Sequence, residues 1–147
     1  MFKNILFVCT GNIHRSPMGE YLLKDYAKKN NIDVNISSAG VAAVKGHGAS
    51  IEVQNLLAEK NIDASSHVAR QISTEIINKS DIILAAENFH KYTLRKLSPG
   101  ARGKIFLLGA GGNQGVKDPQ GKDDDFFVTT LTLIEQGLEY WQAKLFG

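Results

Sequence analysis

One cysteine, one arginine and one late aspartate are the residues of this chain whose types and spacing could do chemistry. Cys9 stands in the run Val8-Cys9-Thr10-Gly11-Asn12-Ile13-His14-Arg15-Ser16-Pro17, and it is the only cysteine of the chain. A loop of the length between Cys9 and Arg15 curls so that successive backbone N–H groups face a common centre, which makes an anion nest. Gly11 and Asn12 are residue types that accept the backbone angles such a curl needs. The guanidinium of Arg15 is a planar fork that matches two oxygens of a phosphate. A cysteine below the same centre becomes a nucleophile when amides, a cation and a helix N-terminus favour the thiolate. Ser16 can donate a hydrogen bond to that sulfur, steadying it first as thiolate and later as leaving group. Thr10, Gly11, Asn12, Ile13, His14 and Ser16 are thus the candidate phosphate-binding loop, with Cys9 and Arg15 as its reactive members.

A blander account makes Cys9 a buried strand-end residue and Arg15 a surface charge, because free cysteines are often small core residues. The apolar run before Cys9, the Gly-Asn pair within the loop and the Ser-Pro helix start after it weigh against that account.

Phosphoryl transfer to sulfur also needs a proton for the leaving oxygen. Asp118-Pro119 lies in a long glycine-bearing loop, Gly109 to Lys122, where Pro119 stiffens the backbone beside the carboxylate. Asp123, Asp124 and Asp125 compete for the role, but they read as an acidic helix start. A Cys9–His14 metal pair lacks further ligands, since no second cysteine exists. No metal and no cofactor is expected, and His14 reads as a packing or hydrogen-bonding residue. His67 reads as structural, and His47 and His90 carry no pattern. Lys117 either holds the Asp118 carboxylate or faces solvent.

These groups need a scaffold. Lys3 to Val8 is an apolar run that predicts a buried strand. Ser16 as N-cap and Pro17 at the first helical position predict a helix from Met18 to Lys29, its stripe formed by Met18, Leu22 and Tyr26, ending at Asn30-Asn31. Val34 begins a second strand running to Gly40. Ser50 caps a helix to Lys60, and Ser73 caps a short one bearing Ile76 and Ile77. Asp81 to Ala86 and Lys104 to Leu108 are further strands, separated by a helix over 88–97 that Ser98-Pro99-Gly100 stops. A long amphipathic helix from about Asp124 to Leu145 closes the chain. Strands alternating with helices predict an α/β fold: a single domain over 1–147 with a parallel sheet flanked by helices on both faces. In such sheets ligands sit beyond the carboxyl ends of the strands, where Cys9 falls.

Composition bounds the partners. With 147 residues, 43% apolar and 22% charged, the chain suits one globular domain with one core. Its net charge of +2, without a basic run, gives no reason to expect nucleic acid. One cysteine excludes an internal disulfide, and the apolar stretch near the N-terminus is too short for a leader or a membrane span. The expectation is a cytoplasmic monomer without membrane insertion.

The Cys9–Pro17 run resembles the phosphate-binding loop of the low-molecular-weight protein tyrosine phosphatases. Ser38-Ala39-Gly40, His67-Val68-Ala69-Arg70, Asp81-Ile82-Ile83-Leu84 and Asp118-Pro119 occur in that family's order and spacing, so the likeness covers nearly the whole chain. Val41 to Ala49 looks most like the bacterial branch, whose members often act on tyrosine autokinases of capsule or exopolysaccharide export. The resemblance implies a sheet of four strands and a metal-free, two-step hydrolysis of protein phosphotyrosine with inorganic phosphate as product. It implies Cys9 as nucleophile, Arg15 and the loop amides as holders of the phosphoryl oxygens, and Asp118 as acid and then base. Asn12 and Ser16 support the loop and the sulfur, and Val41 and Gln120 are candidates for the substrate slot. Three positions depart from the family's pattern: His14 replaces a frequent second cysteine, Gln120 replaces an aromatic residue, and Ala86 replaces a methionine.

Three other functions compete for the same residues. An arsenate reductase on this fold needs more cysteines for its oxidation relay. A phosphocysteine carrier of the sugar phosphotransferase type has no need of Arg15 or of an acid on the late loop. A phosphotyrosine-binding module with little turnover is the alternative that Gln120 keeps open.

Overall fold

The apolar runs pair into one parallel sheet. The computed structural model describes residues 2–147. Its strands are β1 (Asn4–Cys9), β2 (Asn35–Gly40), β3 (Ile82–Ala85) and β4 (Ile105–Leu107), in the spatial order β2-β1-β3-β4. The helices are α1 (Arg15–Lys29), α2 (Ile51–Ala58), α3 (Thr74–Lys79), α4 (Asn88–Leu97) and α5 (Asp124–Phe146). Each strand lies within a residue or two of the expected segment.

β1 is central and buried on both faces, which explains why its sequence shows no polar alternation. Ile5 and Phe7 face one apolar cluster with Met18, Leu23, Val53, Leu57, Leu131 and Ile134, drawn from α1, α2 and α5. Leu6 and Val8 face the other, with Ile77 of α3 and Leu94 of α4. Helices therefore cover both faces, as expected. β1 has β2 on one side and β3 on the other, so strand order reverses at its carboxyl end. A crevice opens at such a switch point, and Cys9 is the last residue of β1.

Several local expectations shift. α1 begins at Arg15 rather than Met18, and its N-cap is His14, with no side-chain cap bond. Ser16 does not cap the helix, because its hydroxyl is taken by Cys9 and Asn12. The buried stripe of α1 runs through Met18, Leu23 and Ala27, while Leu22 and Tyr26 are only partly buried. Ser50 and Ser73 do cap α2 and α3, accepting from the N–H groups of Val53 and Ile76. Asp123 caps α5 through the Phe126 N–H, which accounts for the acidic run there. Asn31 and Asn61 end their helices with positive φ angles of 53° and 62°.

Candidate active site

The loop after β1 turns its carbonyls outward. The carbonyl oxygens of Cys9, Thr10, Gly11 and Ile13 accept from the N–H groups of Val41, Ala42, Val44 and Ser50, and that of His14 accepts from Met18. The Asn12 carbonyl accepts from His67 Nε2 at 2.8 Å. Six consecutive carbonyls are thereby held from outside, which leaves the loop N–H groups for the inner side. Asn12 carries the left-handed conformation that closes the curl, with φ 61°; Gly11 does not adopt it. Gly40 lets β2 approach, since a Cβ there would lie 2.4 Å from the Thr10 carbonyl oxygen.

A buried polar network supports the loop from below. Asn12 Nδ2 donates to Ser16 Oγ and to Ser38 Oγ, both at 2.8 Å. Asn12 Oδ1 accepts from the Arg70 N–H at 3.0 Å. Ser38 Oγ donates in turn to the Glu20 carboxylate. Ser16 Oγ lies 2.9 Å from Cys9 Sγ. Because Asn12 donates to that hydroxyl oxygen, the hydroxyl proton is free to point at the sulfur.

Arg15 is 1% exposed. A buried guanidinium needs compensation, and Glu87 gives it: Nη1 donates to Glu87 Oε2 at 2.5 Å and to the Val116 carbonyl at 2.7 Å. Nη2 faces Thr10 Oγ1 at 3.4 Å and lies 3.6 Å from Asp118 Oδ2. Nε is buried with no protein partner, a donor an anion's oxygen would satisfy. Cys9, Thr10, Gly11, Ile13, His14, Arg15, Ala42, Val44, Asp118 and Gln120 line a common cleft of about 230 Å³.

The late loop meets this cleft at a few points. The Val116 N–H donates to the Ala86 carbonyl, while Arg15 holds the Val116 carbonyl. The Gln120 N–H donates to Asp118 Oδ1 at 3.0 Å. Lys117 is exposed, and Asp118 pairs with Arg15 instead. His14 bonds to Ser50 and Gln120 through its two nitrogens, the polar role expected of it. Among the described residues no group of three His, Cys, Asp or Glu side chains could hold a metal ion.

The structure brings nine of the sequence-derived candidates to or directly behind the cleft: Cys9, Thr10, Gly11, Asn12, Ile13, His14, Arg15, Ser16 and Asp118. Gln120 lines it as well, but Val41 does not. Val41 packs against the apolar cluster under β1 and β3, and the wall is made by Ala42 and Val44. β2 ends at Gly40, and Val41 and Ala42 lie in the turn that follows it.

Two residues without any sequence pattern of their own belong to the site. Glu87 partners Arg15, and its N–H donates to His90 Nδ1 at 3.0 Å. His90 Nε2 therefore carries the proton and donates to Thr10 Oγ1 at 2.9 Å. Burial pushes His90 down to about 4, with the Arg15 guanidinium adding to the effect and Asp118 opposing it. The signal that could have found them is position: both follow β3 at the same sheet edge as Cys9.

A thiol, an arginine and a carboxylate thus meet at the switch point of a parallel sheet, beside a loop whose carbonyls face outward. The sequence model of the family described as low molecular weight phosphotyrosine protein phosphatase matches residues 4–146, and the chain belongs to that family. It is 37% identical over 146 residues to the low molecular weight protein-tyrosine-phosphatase Wzb of Escherichia coli K12, covering 99% of this chain and 97% of that one. The fold matches Vibrio vulnificus Wzb in complex with benzylphosphonate with a TM-score of 0.91 and 31% identity, over 99% of this chain and 100% of the other. It also matches the YwlE arginine phosphatase from Geobacillus stearothermophilus, with a TM-score of 0.88 and 34% identity over 97% and 92% of the two chains. The enzyme class expected from the sequence, a protein-tyrosine-phosphatase, is the class carried by the curated relatives. No helix among the described residues is long and apolar enough to cross a membrane.

Proposed function

We propose that the chain hydrolyses protein phosphotyrosine through a phosphocysteine on Cys9, and that a tyrosine autokinase of capsule or exopolysaccharide export is its partner. The carrying observation is the cleft that holds Cys9, Arg15 and Asp118 together, with Asp118 Oδ2 3.6 Å from Arg15 Nη2.

Cys9 Sγ attacks phosphorus as a thiolate, helped by the Ser16 hydroxyl and the helix N-terminus. The phosphorus–oxygen bond to the aryl group breaks, and Asp118 gives the leaving phenolate its proton. Loop N–H groups and Arg15 hold the equatorial oxygens as charge spreads over them. Asp118 then takes a proton from water, which attacks phosphorus and breaks the phosphorus–sulfur bond. Inorganic phosphate and the thiolate result. Each step is supplied by side chains of this chain, so the reaction proceeds without added metal.

Because a related fold is that of an arginine phosphatase, the substrate is a matter for the slot rather than the fold. Ile13, Ala42 and Val44 give this slot an apolar wall suited to a ring, and Asp118 is the only carboxylate in the cleft lining. Phosphotyrosine, phosphoserine and phosphoarginine peptides should be assayed side by side with chelator present. Hydrolysis concentrated on phosphotyrosine supports the assignment. A preference for phosphoarginine, or activity lost to the chelator, would refute it. Dephosphorylation of a tyrosine autokinase encoded with the enzyme tests the partner.

A further inference from the structure

His14 and Gln120 depart from the family's pattern independently in the sequence, yet they meet in the fold. His14 Nε2 lies 2.6 Å from Gln120 Oε1, and His14 Nδ1 lies 2.9 Å from Ser50 Oγ. The ring is 8% exposed and stands edge-on to Phe127, in the first turn of α5, with centroids 5.1 Å apart. Both nitrogens are thus occupied and the ring plane is fixed by packing.

Donor chemistry orders the bonds. An amide oxygen only accepts, so Nε2 carries the imidazole proton. Nδ1 then accepts from the Ser50 hydroxyl, whose oxygen accepts in turn from the Val53 N–H at 3.3 Å. Beyond Gln120 the series continues, because the Gln120 N–H donates to Asp118 Oδ1 at 3.0 Å. An ordered path runs from the N-terminus of α2, through His14 on the phosphate loop, to the carboxylate on the late loop.

Burial of Pro119 holds the backbone of the late loop, but the side chains on either side of it are weakly fastened. Asp118 is 42% exposed at its side chain and lies 3.6 Å from Arg15, longer than a hydrogen bond. Gln120 is itself exposed, so burial does not hold it. We propose that His14 is a positioning residue. Through Gln120 it latches the late loop against the phosphate loop and sets Asp118 over the leaving oxygen. The latch rests on the reading of Cys9 as nucleophile and Asp118 as acid, and it adds a function for two residues which that reading leaves unused.

The test uses Gln120→Met, which keeps the length of an exposed side chain but cannot accept from His14. Aryl phosphates of graded leaving-group acidity are assayed, from nitrophenyl phosphate to phenyl phosphate and phosphotyrosine. The expected result is a kcat/KM loss of about tenfold for the poorest leaving group and much less for the best, because kcat/KM reports the first step and only poor leaving groups need the proton there. His14→Ala should give the same pattern, and the double variant should be no worse than either single one. In an Asp118→Ala background Gln120→Met should cost nothing further, since the latch acts through that carboxylate. Melting temperatures of the Gln120 variant should match the parent. A kcat/KM loss equal across leaving groups, or one that persists without Asp118, would make Gln120 a wall of the slot and overturn the latch, as would no loss at all. If the parent protein turned over none of these esters, the reading of Cys9 and Asp118 would fail first, and the latch with it.

Discussion

The two loops that meet at the cleft are built in opposite ways. The loop from Cys9 to Ser16 is fixed from outside by its carbonyls and from below by Asn12, Ser16 and Ser38. Its charged member, Arg15, is 1% exposed. The loop from Gly109 to Lys122 is mostly exposed and meets the site chiefly at Val116, Asp118 and Gln120. The contrast matches two tasks. Charge stabilisation needs donors that are already in place when charge develops. A general acid must reach a leaving group that enters and departs, so it belongs on an element that can open.

If the first loop is the rigid electrostatic half, damage there should cost most. Arg15→Lys removes the planar fork and leaves a point charge, so turnover should fall about 10³-fold. A titration with vanadate or phosphate should show weaker anion binding alongside. Lysine at this position with near-parental activity would mean that the fork holds nothing in the transition state. Damage to the second loop should be smaller and selective. Asp118→Ala should lower kcat/KM for phosphotyrosine, which reports the first step, about 10²-fold, while that for nitrophenyl phosphate falls far less. An equal loss on both esters would remove the acid role from Asp118.

The support beneath the rigid loop predicts a milder effect spread over stability and rate. Asn12→Ala removes one hydrogen bond from each of the Ser16 and Ser38 hydroxyls and leaves the Arg70 N–H without its acceptor. It also puts alanine at a φ of 61°. Unfolding stability should drop by about 2 kcal/mol, read from urea midpoints, with a rise in KM for all esters alike. Unchanged stability would mean that the loop holds its shape by its backbone bonds alone.

The smallest effect is a pH dependence at the seam between β3 and the loop. His90 is held neutral when folded, at about 4 against an ordinary 6.5. Between these values the unfolded chain binds a proton that the folded one does not. Stability from this group is therefore complete above about pH 6.5 and declines as pH falls toward 4. Denaturant midpoints across that range should show the decline, and His90→Asn should flatten it. A profile that His90→Asn leaves unchanged would place the sensitivity elsewhere.

Much of the rigid half was legible in the sequence, because its chemistry and its scaffold are contiguous. A strand, a Gly-Asn turn and a helix start follow one another within one short run, and local preference agrees with the fold. The start of α1 was misplaced for a physical reason. Ser16 has the composition of a cap, yet its hydroxyl serves Cys9 and Asn12. The second half was legible only as an aspartate before a proline. What ties it in comes from far along the chain: Glu87 and Val116 reach Arg15, and Gln120 reaches His14 across 106 positions. No periodicity reports such contacts, since they exist only once β3 has paired with β1 and β4 with β3. Val41 entered the slot only through the resemblance, and in the fold Ala42 and Val44 line the cleft instead.

Capture of the covalent intermediate tests the central claim most directly. The enzyme is mixed with an aryl phosphate, quenched in acid within the first turnover and digested, and the peptide bearing Cys9 is weighed. A phosphoryl group on Cys9, formed at the rate of the initial burst and absent from Cys9→Ser, is the predicted result. Undiminished turnover by Cys9→Ser, or steady turnover with Cys9 never phosphorylated, would contradict it.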